Sequence, residues 1–464
     1  MTTLGASVSG PPATRRRNLA SWDGGVRALA GASLWASLLL VTYWWEADGG
    51  VRDLGGWVTG LTSLGRLTGL VASVLLLAQV LLMARLPVLE RAFGQDRLAR
   101  IHRVVGFTSF DLMLAHVVLI TWGYAGGLPA TLSMLWSLTV DYPGMLLAAA
   151  GTVCLILVVV TSLRAARRRL RYESWHLLHL YAYLGAGLAL PHQLWTGQEF
   201  LKRPAETFFW WTAWAVAAGA VVVWRLALPL WRSLRAGIVV TAVVPEAHGI
   251  VSVYLAGRID RLRAEPGQFL TWRFLGRQGW TRANPYSLSA APNGRTARIT
   301  VQADGDGSAS VARIRPGTRV LVEGPFGRLT PRARTRRKVV FIGAGVGMAP
   351  IRALAEGMAY APGEAVLLQR HRDGALFEKE LDWLQEARGL RVVRLPGRRR
   401  AETSWVGHGF HGYDDLQVLL GWVPDIAERD VYICGPAAWT AAVRRAARAA
   451  GVGDEQWHEE TFEW

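Results

Sequence analysis

The stretch His102-Arg103-Val104-Val105-Gly106-Phe107-Thr108-Ser109-Phe110-Asp111-Leu112-Met113-Leu114-Ala115-His116 decides how the first half of this chain is read. Two histidines stand fourteen residues apart in apolar surroundings, and a second pair, His179 and His192, stands thirteen apart in a similar run. At about 1.5 Å of rise per residue, each pair spans roughly 20 Å of helix axis. That length fits within a bilayer hydrocarbon core about 30 Å thick. Ionisable side chains are rare at such depths, and neutral imidazole is an axial ligand for haem iron. If the two helices run the same way, His102 faces His179 near one surface and His116 faces His192 near the other. The pattern therefore predicts four metal ligands, His102, His116, His179 and His192, holding two stacked bis-histidine haems. On an ideal helix, fourteen residues leave the first pair within about 40° of each other, whereas thirteen leave the second about 140° apart. Pro191 offers a local remedy, because its missing N–H permits a kink or π-bulge just before His192. His176 gives a worse angle to His192 and is assigned a supporting role. Asp111 is expected to be paired or to face a polar cavity.

Outward from these histidines, apolar runs mark six spans, 26–45, 67–84, 104–123, 145–163, 175–195 and 208–230. Each has the length a spanning helix needs. The first is too long for a secretory signal and is followed by no small-residue cleavage site. Aromatic clusters at Tyr43-Trp44-Trp45 and Phe209-Trp210-Trp211 suit interfacial belts. Arginines gather on alternate connections. Arg15, Arg16 and Arg17 precede the first span; Arg85, Arg91, Arg97, Arg100 and Arg103 follow the second; Arg164, Arg167, Arg168, Arg169 and Arg171 follow the fourth; Arg232 and Arg235 follow the sixth. The positive-inside rule then puts both termini in the cytoplasm of a multi-pass cell-membrane protein. The same loops account for much of the +17 net charge over 464 residues. Strung between spans in this way, the charge argues against a nucleic-acid partner. With only Cys154 and Cys434 present, neither a disulfide framework nor a four-cysteine iron–sulfur cluster is available.

After Arg235 the pattern changes. From Gly237 to about Arg332, short alternating runs such as Val251-Ser252-Val253-Tyr254 are punctuated by Pro-Gly at 266–267 and 316–317, as in a small antiparallel β-barrel. The basic segment Arg332-Ala333-Arg334-Thr335-Arg336-Arg337-Lys338 reads as a solvated connector. Val339-Val340-Phe341-Ile342 then forms a buried-strand run, followed by Gly343-Ala344-Gly345-Val346-Gly347-Met348-Ala349-Pro350 and a helical pattern to Gly357. Strand, glycine turn and helix bring backbone N–H groups and a helix N-terminus to a phosphate, and Pro350 suits the first helical turn. Further runs at 365–369, 376–387, 390–395 and 431–433 indicate a doubly wound parallel sheet. The expected domains are 1–234, 235–333 and 334–464.

Six motifs occur in order: Gly267-Gln268-Phe269, Asn284-Pro285-Tyr286-Ser287-Leu288-Ser289, Val322-Glu323-Gly324-Pro325-Phe326-Gly327, the glycine turn to Pro350, Cys434-Gly435-Pro436 and Glu460-Thr461-Phe462-Glu463-Trp464. Together they resemble the ferredoxin–NADP reductase superfamily. With the histidine-bearing spans in front, the whole resembles a bacterial ferric reductase / NADPH oxidase. The fold so implied is a six-span α-helical haem bundle, an antiparallel β-barrel flavin domain and an α/β doubly wound nucleotide-binding domain. The resemblance implies FAD, two b-type haems and NADPH (NADH remaining possible) as cofactors. It places Tyr286 against the flavin ring, with Pro285 in the same motif, and Ser287 near the reactive nitrogen. Gly307 and Ser308 take the flavin phosphates, and Gly343, Gly345, Gly347 and Pro350 the dinucleotide phosphates. Cys434, leading Gly435 and Pro436, sits near the nicotinamide, and Trp464 beside the flavin, so that Ser287, Cys434 and Trp464 are the catalytic candidates. Asn284 stands where relatives carry His or Arg, and Arg282 is the candidate to compensate.

Electrons are then expected to pass from NAD(P)H through FAD and both haems to an acceptor beyond the outer face: a metal ion such as ferric iron, oxygen with superoxide as product, or a quinone or partner protein. Ile120 stands four residues after His116, where NADPH oxidases place a further histidine, which favours the metal. Arg66 is either an aid to the acceptor or an interfacial arginine. Arg370-His371-Arg372 closes the second strand of the nucleotide domain, where an acid would select NADH. Arg370 is therefore read as a 2′-phosphate ligand favouring NADPH, with Asp373 set too late to dominate.

Overall fold

The computed structural model describes residues 13–460, apart from 168, 171, 198–199, 201, 277–282, 304–309 and 373. Of the residues singled out above, Arg168, Arg171, Arg282, Gly307, Ser308, Asp373 and the terminal Thr461, Phe462, Glu463 and Trp464 lie outside the described set. The chain divides into two compact units at residue 227.

The first unit is helical. Its helices are α1 (Ala13–Ala47), α2 (Trp57–Met83), α3 (Pro87–Phe93), α4 (Gln95–Ala125), α5 (Thr131–Asp141), α6 (Met145–Ser162), α7 (Arg164–Arg167), α8 (Tyr172–Trp195) and α9 (Pro204–Ala220). A π-helical segment, Val221–Ala227, follows α9. Among the described residues, five helices are long and apolar enough to cross a membrane: Trp22–Ala47, Trp57–Met83, Arg97–Ala125, Met145–Ser162 and Pro204–Ala236. The remaining expected span, 175–195, lies in α8, which has the length but carries three histidines, Gln193 and Pro191, diluting its apolar character. The helix continues through Pro191 to Trp195.

Small residues set the helix contacts, as close packing between apolar helices requires. A Cβ on Gly69 of α2 would lie 2.6 Å from Nδ1 of His116, and one on Gly65 2.8 Å from Ile120. Gly151 of α6 and Gly185 of α8 approach so closely that a Cβ on either would meet the other's carbonyl at under 3.0 Å. On the other side of α2, Val41, Trp45, Leu70, Val74, Leu77 and Trp210 form a common core, and the Trp45 indole donates to Ser63 O at 2.9 Å.

The second unit opens with α10 (Leu228–Ala236) and two antiparallel sheets. Strands β1 (Val239–Ala247), β2 (Ile250–Ala256) and β5 (Thr296–Gln302) form one, in the order β1-β2-β5. Strands β3 (Phe269–Phe274), β4 (Asn284–Ser287) and β6 (Val320–Phe326) form the other, in the order β4-β3-β6. Isolated bridges from Val239 to Arg319 and from Leu288 to Ile299 join the two sheets along both edges. Alternate residues point inward, so that Leu270, Trp272 and Phe274 of β3 meet Val253, Leu255 and Ile299 in one core.

A parallel sheet completes the unit, from β7 (Lys338–Ala344), β8 (Ala365–Arg370), β9 (Arg391–Leu395), β10 (Arg429–Cys434) and β11 (Trp457–Glu460), in the order β11-β10-β7-β8-β9. Helices α11 (Met348–Gly357), α12 (Glu378–Arg388), α13 (Asp415–Trp422) and α14 (Ala437–Ala449) accompany it. Val340 and Ile342 belong to one core, Val339 and Phe341 to another. Burial on both faces explains why β7 reads as an unbroken apolar run. The basic segment 332–338 lies at the surface as expected, with Arg332, Thr335, Arg336 and Arg337 exposed, and it is anchored there as well. Buried Asp430 accepts hydrogen bonds from the backbone N–H groups of Thr335 and Arg336, both at 2.5 Å or less, and from the Thr335 hydroxyl at 2.7 Å. Arg337 pairs with Glu364, and Lys338 with Asp425 at 2.7 Å. Its charge is answered by acids that lie far off in sequence.

Candidate redox sites

In the membrane unit, the ring centroids of His102 on α4 and His179 on α8 lie 6.1 Å apart. A metal held between two imidazoles by bonds of about 2.0 Å needs a separation of roughly this size. His116 lies close enough to His192 to act on it electrostatically. The other ring nitrogens are all engaged. Nδ1 of His102 faces Gln79 O at 3.4 Å, that of His116 faces Gly65 O at 2.7 Å, and that of His192 faces Ala189 O at 2.6 Å. A carbonyl only accepts, so each of these three Nδ1 atoms carries the proton and each Nε2 keeps its lone pair for a metal. The Nδ1 of His179 lies 3.4 Å from Ser162 Oγ.

The His102–His179 pair has further neighbours. The Trp175 ring lies 5.0 Å from that of His179, its indole donates to Ser162 Oγ at 3.3 Å, and the Arg167 guanidinium sits 4.5 Å from its centroid. Arg225 brings positive charge to both His102 and His179 and donates to Met83 O at 3.0 Å. Sequence reasoning passed over Arg225, although a lone arginine inside an apolar span is itself a signal. Arg66 pairs with Asp53 at 3.5 Å. Asp111 is exposed on α4 rather than turned to a polar cavity; it lies on the side away from α2, which α4 meets through Ser109 and His116.

In the second unit, the glycine turn and Cys434 come together. β7 pairs with β10 so that Gly343 stands opposite Cys434, and the chain runs from β7 to β8 on one side and returns through β10 on the other. That is the switch point at which parallel sheets bind ligands. Gly345 has φ +55° and open space where a side chain would be, whereas a Cβ on Gly347 would lie 2.4 Å from Cys434 O. The turn thus presents backbone on one side and packs against Cys434 on the other, with Pro350 in the first turn of α11. The Cys434 thiol is fully buried. Burial first, then the charges of Glu460 and Glu459, push its pKa well up, so it stays protonated and is no nucleophile.

The flavin motif lies on β4, with Asn284, Pro285 and Tyr286 half-buried and Ser287 buried. The Tyr286 carbonyl accepts from the Trp272 indole at 3.0 Å. Among the described residues, Ser287 Oγ is buried without a hydrogen-bond partner, as a hydroxyl set to meet a bound polar ring would be.

Arg370 departs from expectation. Its guanidinium donates to the carbonyls of His371 at 2.6 Å and Leu395 at 2.8 Å, tying β8 to β9, and the residue is 6% exposed. Both bonds use Nη1, so one nitrogen of the guanidinium is held by backbone, while Nε has no hydrogen-bond partner among the described residues; Arg372 is an exposed arginine at the same strand end.

Residues 68–190 match the family described as ferric reductase like transmembrane component, and residues 341–445 match the oxidoreductase NAD-binding domain. A flavohemoprotein of Burkholderia sp. (strain TH2) is 31% identical over 239 residues, covering 50% of this chain and 60% of the relative. The ferredoxin reductase component of the 3-ketosteroid-9-alpha-monooxygenase of Mycolicibacterium smegmatis is 31% identical over 208 residues, 44% of this chain and 57% of the relative. The chain thus spans less than two thirds of the length of these relatives. Among solved structures, the FAD/NAD binding domain of nitric oxide dioxygenase from Vibrio cholerae O1 biovar El Tor aligns with a TM-score of 0.38 at 21% identity, over 49% of this chain and 99% of that one. The matched segments contain all four histidines but His192 in the first case and the glycine turn with Cys434 in the second. The chain thus joins a segment similar to the ferric reductase like transmembrane component to a segment similar to the oxidoreductase NAD-binding domain.

Proposed function

We propose that this protein passes electrons from cytoplasmic NAD(P)H, through FAD and two haems, to an acceptor at the outer face of the cell membrane, with ferric iron or another metal as that acceptor. One observation carries the haem assignment: the rings of His102 on α4 and His179 on α8 stand 6.1 Å apart, and backbone carbonyls hold the rings of His102, His116 and His192 in the tautomer that exposes Nε2. FAD, when bound, converts a two-electron hydride donor into a source of single electrons, which is what haem iron accepts. The chain's own residues hold and orient. The turn Gly343–Gly347 offers backbone N–H groups to the dinucleotide phosphates, and Cys434 lies across the switch point from it. Ser287 supplies a buried hydroxyl to the flavin ring, with Tyr286 beside it. His102 and His179 hold the inner haem and His116 and His192 the outer one, with Arg225 and Arg167 keeping the inner site cationic.

Cytoplasmic placement of the second unit rests on the arginine-rich connections. The preference for a metal over oxygen rests on Ile120, which packs against Gly65. A second reading, delivery of electrons to a partner protein, is favoured by the relatives named as reductase components of monooxygenases. One preparation of full-length protein in proteoliposomes tests all of this. We expect a b-type signal in the reduced-minus-oxidised spectrum and NADPH-driven reduction of external ferric chelate exceeding superoxide formation and quinone reduction. Absence of the b-type signal refutes the haem assignment, and a dominant superoxide or quinone signal refutes the acceptor.

A further inference from the structure

The flavin-side sheets and the nucleotide-side sheet meet at a buried knot of charge. Arg298 on β5, 4% exposed, grips Glu380 of α12 with both terminal nitrogens, at 2.6 and 2.9 Å. Nε reaches Ser289 Oγ at 3.0 Å, and Nη2 also donates to the Ser289 carbonyl at 2.9 Å. Arg352 on α11, 6% exposed, sets its Nε 2.6 Å from Oε2 of Glu380, the oxygen that Arg298 Nη2 also meets, and reaches Ser289 O at 3.3 Å. Glu356, one turn on, pairs with Arg352 and accepts from the backbone N–H of Ala291 at 2.6 Å. Phe377, just before α12, covers the Arg298 guanidinium at 4.9 Å and adopts φ +62° to do so. A left-handed φ is unusual for a bulky residue and persists only where its surroundings enforce it.

Stability alone does not account for such a cluster. Desolvating two arginines and a carboxylate offsets most of what their attraction contributes, and an apolar contact of equal size would hold as well. A bidentate arginine–carboxylate fork does fix direction, which apolar packing does not. The placement gives that direction a use. Ser289 lies two residues after Ser287 of the flavin motif, and Arg352 lies one turn into the helix that leaves the glycine turn. The knot therefore couples, over a few residues on each side, the segment offered to the flavin and the segment offered to the nicotinamide dinucleotide.

We infer that Arg298 and Glu380 are positioning residues for hydride transfer, locking the flavin-binding and nucleotide-binding halves of the second unit at the angle that brings nicotinamide and flavin together. The inference rests on the reading of this unit as an NAD(P)H–flavin reductase. The step served moves one hydride, two electrons and a proton, from the reduced nicotinamide, which leaves as the oxidised cation, to the flavin ring, and needs no other reactant.

The test uses the full-length, FAD-loaded protein and the variants Glu380→Gln, Arg298→Lys and the exchange Arg298→Glu with Glu380→Arg. In anaerobic single-turnover mixing with NADPH, Glu380→Gln and Arg298→Lys are expected to slow flavin reduction by about tenfold to a hundredfold, the scale of a small misplacement of reacting groups. FAD content and apparent nucleotide Kd should stay within about twofold, and the exchange should recover part of the rate. In parallel, spin labels at Val244→Cys and Tyr413→Cys in a Cys154→Ala background report the distance between the halves. A narrow distribution in the parent that broadens in Glu380→Gln supports the lock. An unchanged rate, a rate loss explained entirely by lost FAD or nucleotide binding, or equal distributions in parent and variant overturns it. A parent flavin that NADPH does not reduce refutes the underlying reductase reading, and the distance measurement then still decides whether the lock exists.

Discussion

The two units place their chemistry by different means. In the membrane unit the proposed chemistry rests on a few side chains, two histidines on α4 and two on α8, and the surrounding glycines matter because they let helices approach: Gly69 leaves room for the His116 ring itself. In the second unit the working surface is largely backbone, the turn Gly343–Gly347 at the sheet's switch point, and side chains such as Asp430, Arg370 and Glu380 serve to hold it. Inside a bilayer every backbone group is already committed to its own helix, so recognition falls to side chains. At the end of a parallel sheet the first N–H groups of a helix remain free for a ligand. Substitution should therefore act locally and in discrete units in the first region, and through geometry in the second.

The largest expected effects test the first half of that contrast. His116→Leu or His192→Leu should remove one haem and leave the other, because the two pairs lie about 20 Å apart and share no ligand. Flavin and the inner haem should still be reduced by NADPH while reduction of an external acceptor collapses. His102→Leu or His179→Leu should leave flavin reduced and the outer haem oxidised. Gly69→Ala should mimic His116→Leu in part, since its Cβ would lie 2.6 Å from the imidazole. His176→Leu should retain two haems. Haem content by pyridine haemochrome, with redox spectra of each variant, checks the set; loss of haem in His176→Leu with retention in His179→Leu would break the pairing on α8.

Legibility followed the same division. The approach of His102 to His179 could be read because a period of 3.6 and a rise of 1.5 Å turn spacing into depth and angle. The remedy expected at Pro191 takes no π-helical form, since α8 stays α-helical to Trp195. The parallel sheet could be read from β7, where burial on both faces leaves an unbroken apolar run. What stayed hidden were partners distant in sequence. Nothing near residue 334 announces that Asp430 pins Thr335 and Arg336, and nothing near Arg370 announces that the carbonyl of Leu395 occupies its guanidinium. Lone charges inside a span, such as Arg225, were visible but went unweighed, because one charge among 23 residues barely alters an apolar window.

A middle-sized effect sharpens the second half of the comparison. Because Arg370 ties β8 to β9, Arg370→Ala should leave two strand-end carbonyls without their donor and weaken use of NADPH and NADH alike, while lowering the melting temperature of the protein. Exposed Arg372, at the same strand end, is the better candidate for a 2′-phosphate contact. Arg372→Ala is then expected to raise KM for NADPH several-fold with little change for NADH or in Tm. A selective loss of NADPH affinity in Arg370→Ala, with Tm unchanged, would restore the reading made from sequence.

The smallest effect concerns acid stability, where the second unit's charge network should show itself. Asp425 is partly buried, which works against its charge, but hydrogen bonds from Arg429 and Lys338 and their positive charges bring its pKa from 3.8 down to about 2. A carboxylate depressed on folding contributes its stability in full above the unfolded value and loses it as pH falls through the folded one. The contribution should therefore be constant at neutral pH and vanish between about pH 4 and about pH 2. Asp425 remains open to water, so screening limits it to no more than about 1 kcal/mol, or about 2–4 °C in a unit of this size. Asp425→Asn should thus melt slightly below the parent at pH 7 and lose that difference near pH 2, whereas Glu380→Gln, which takes a carboxylate from two buried arginines, Arg298 and Arg352, should cost more at pH 7. Equal melting losses for the two substitutions across pH 2–7 would mean that the second buried arginine adds nothing, and the distinction between the Glu380 lock and the Asp425 network would fall with it.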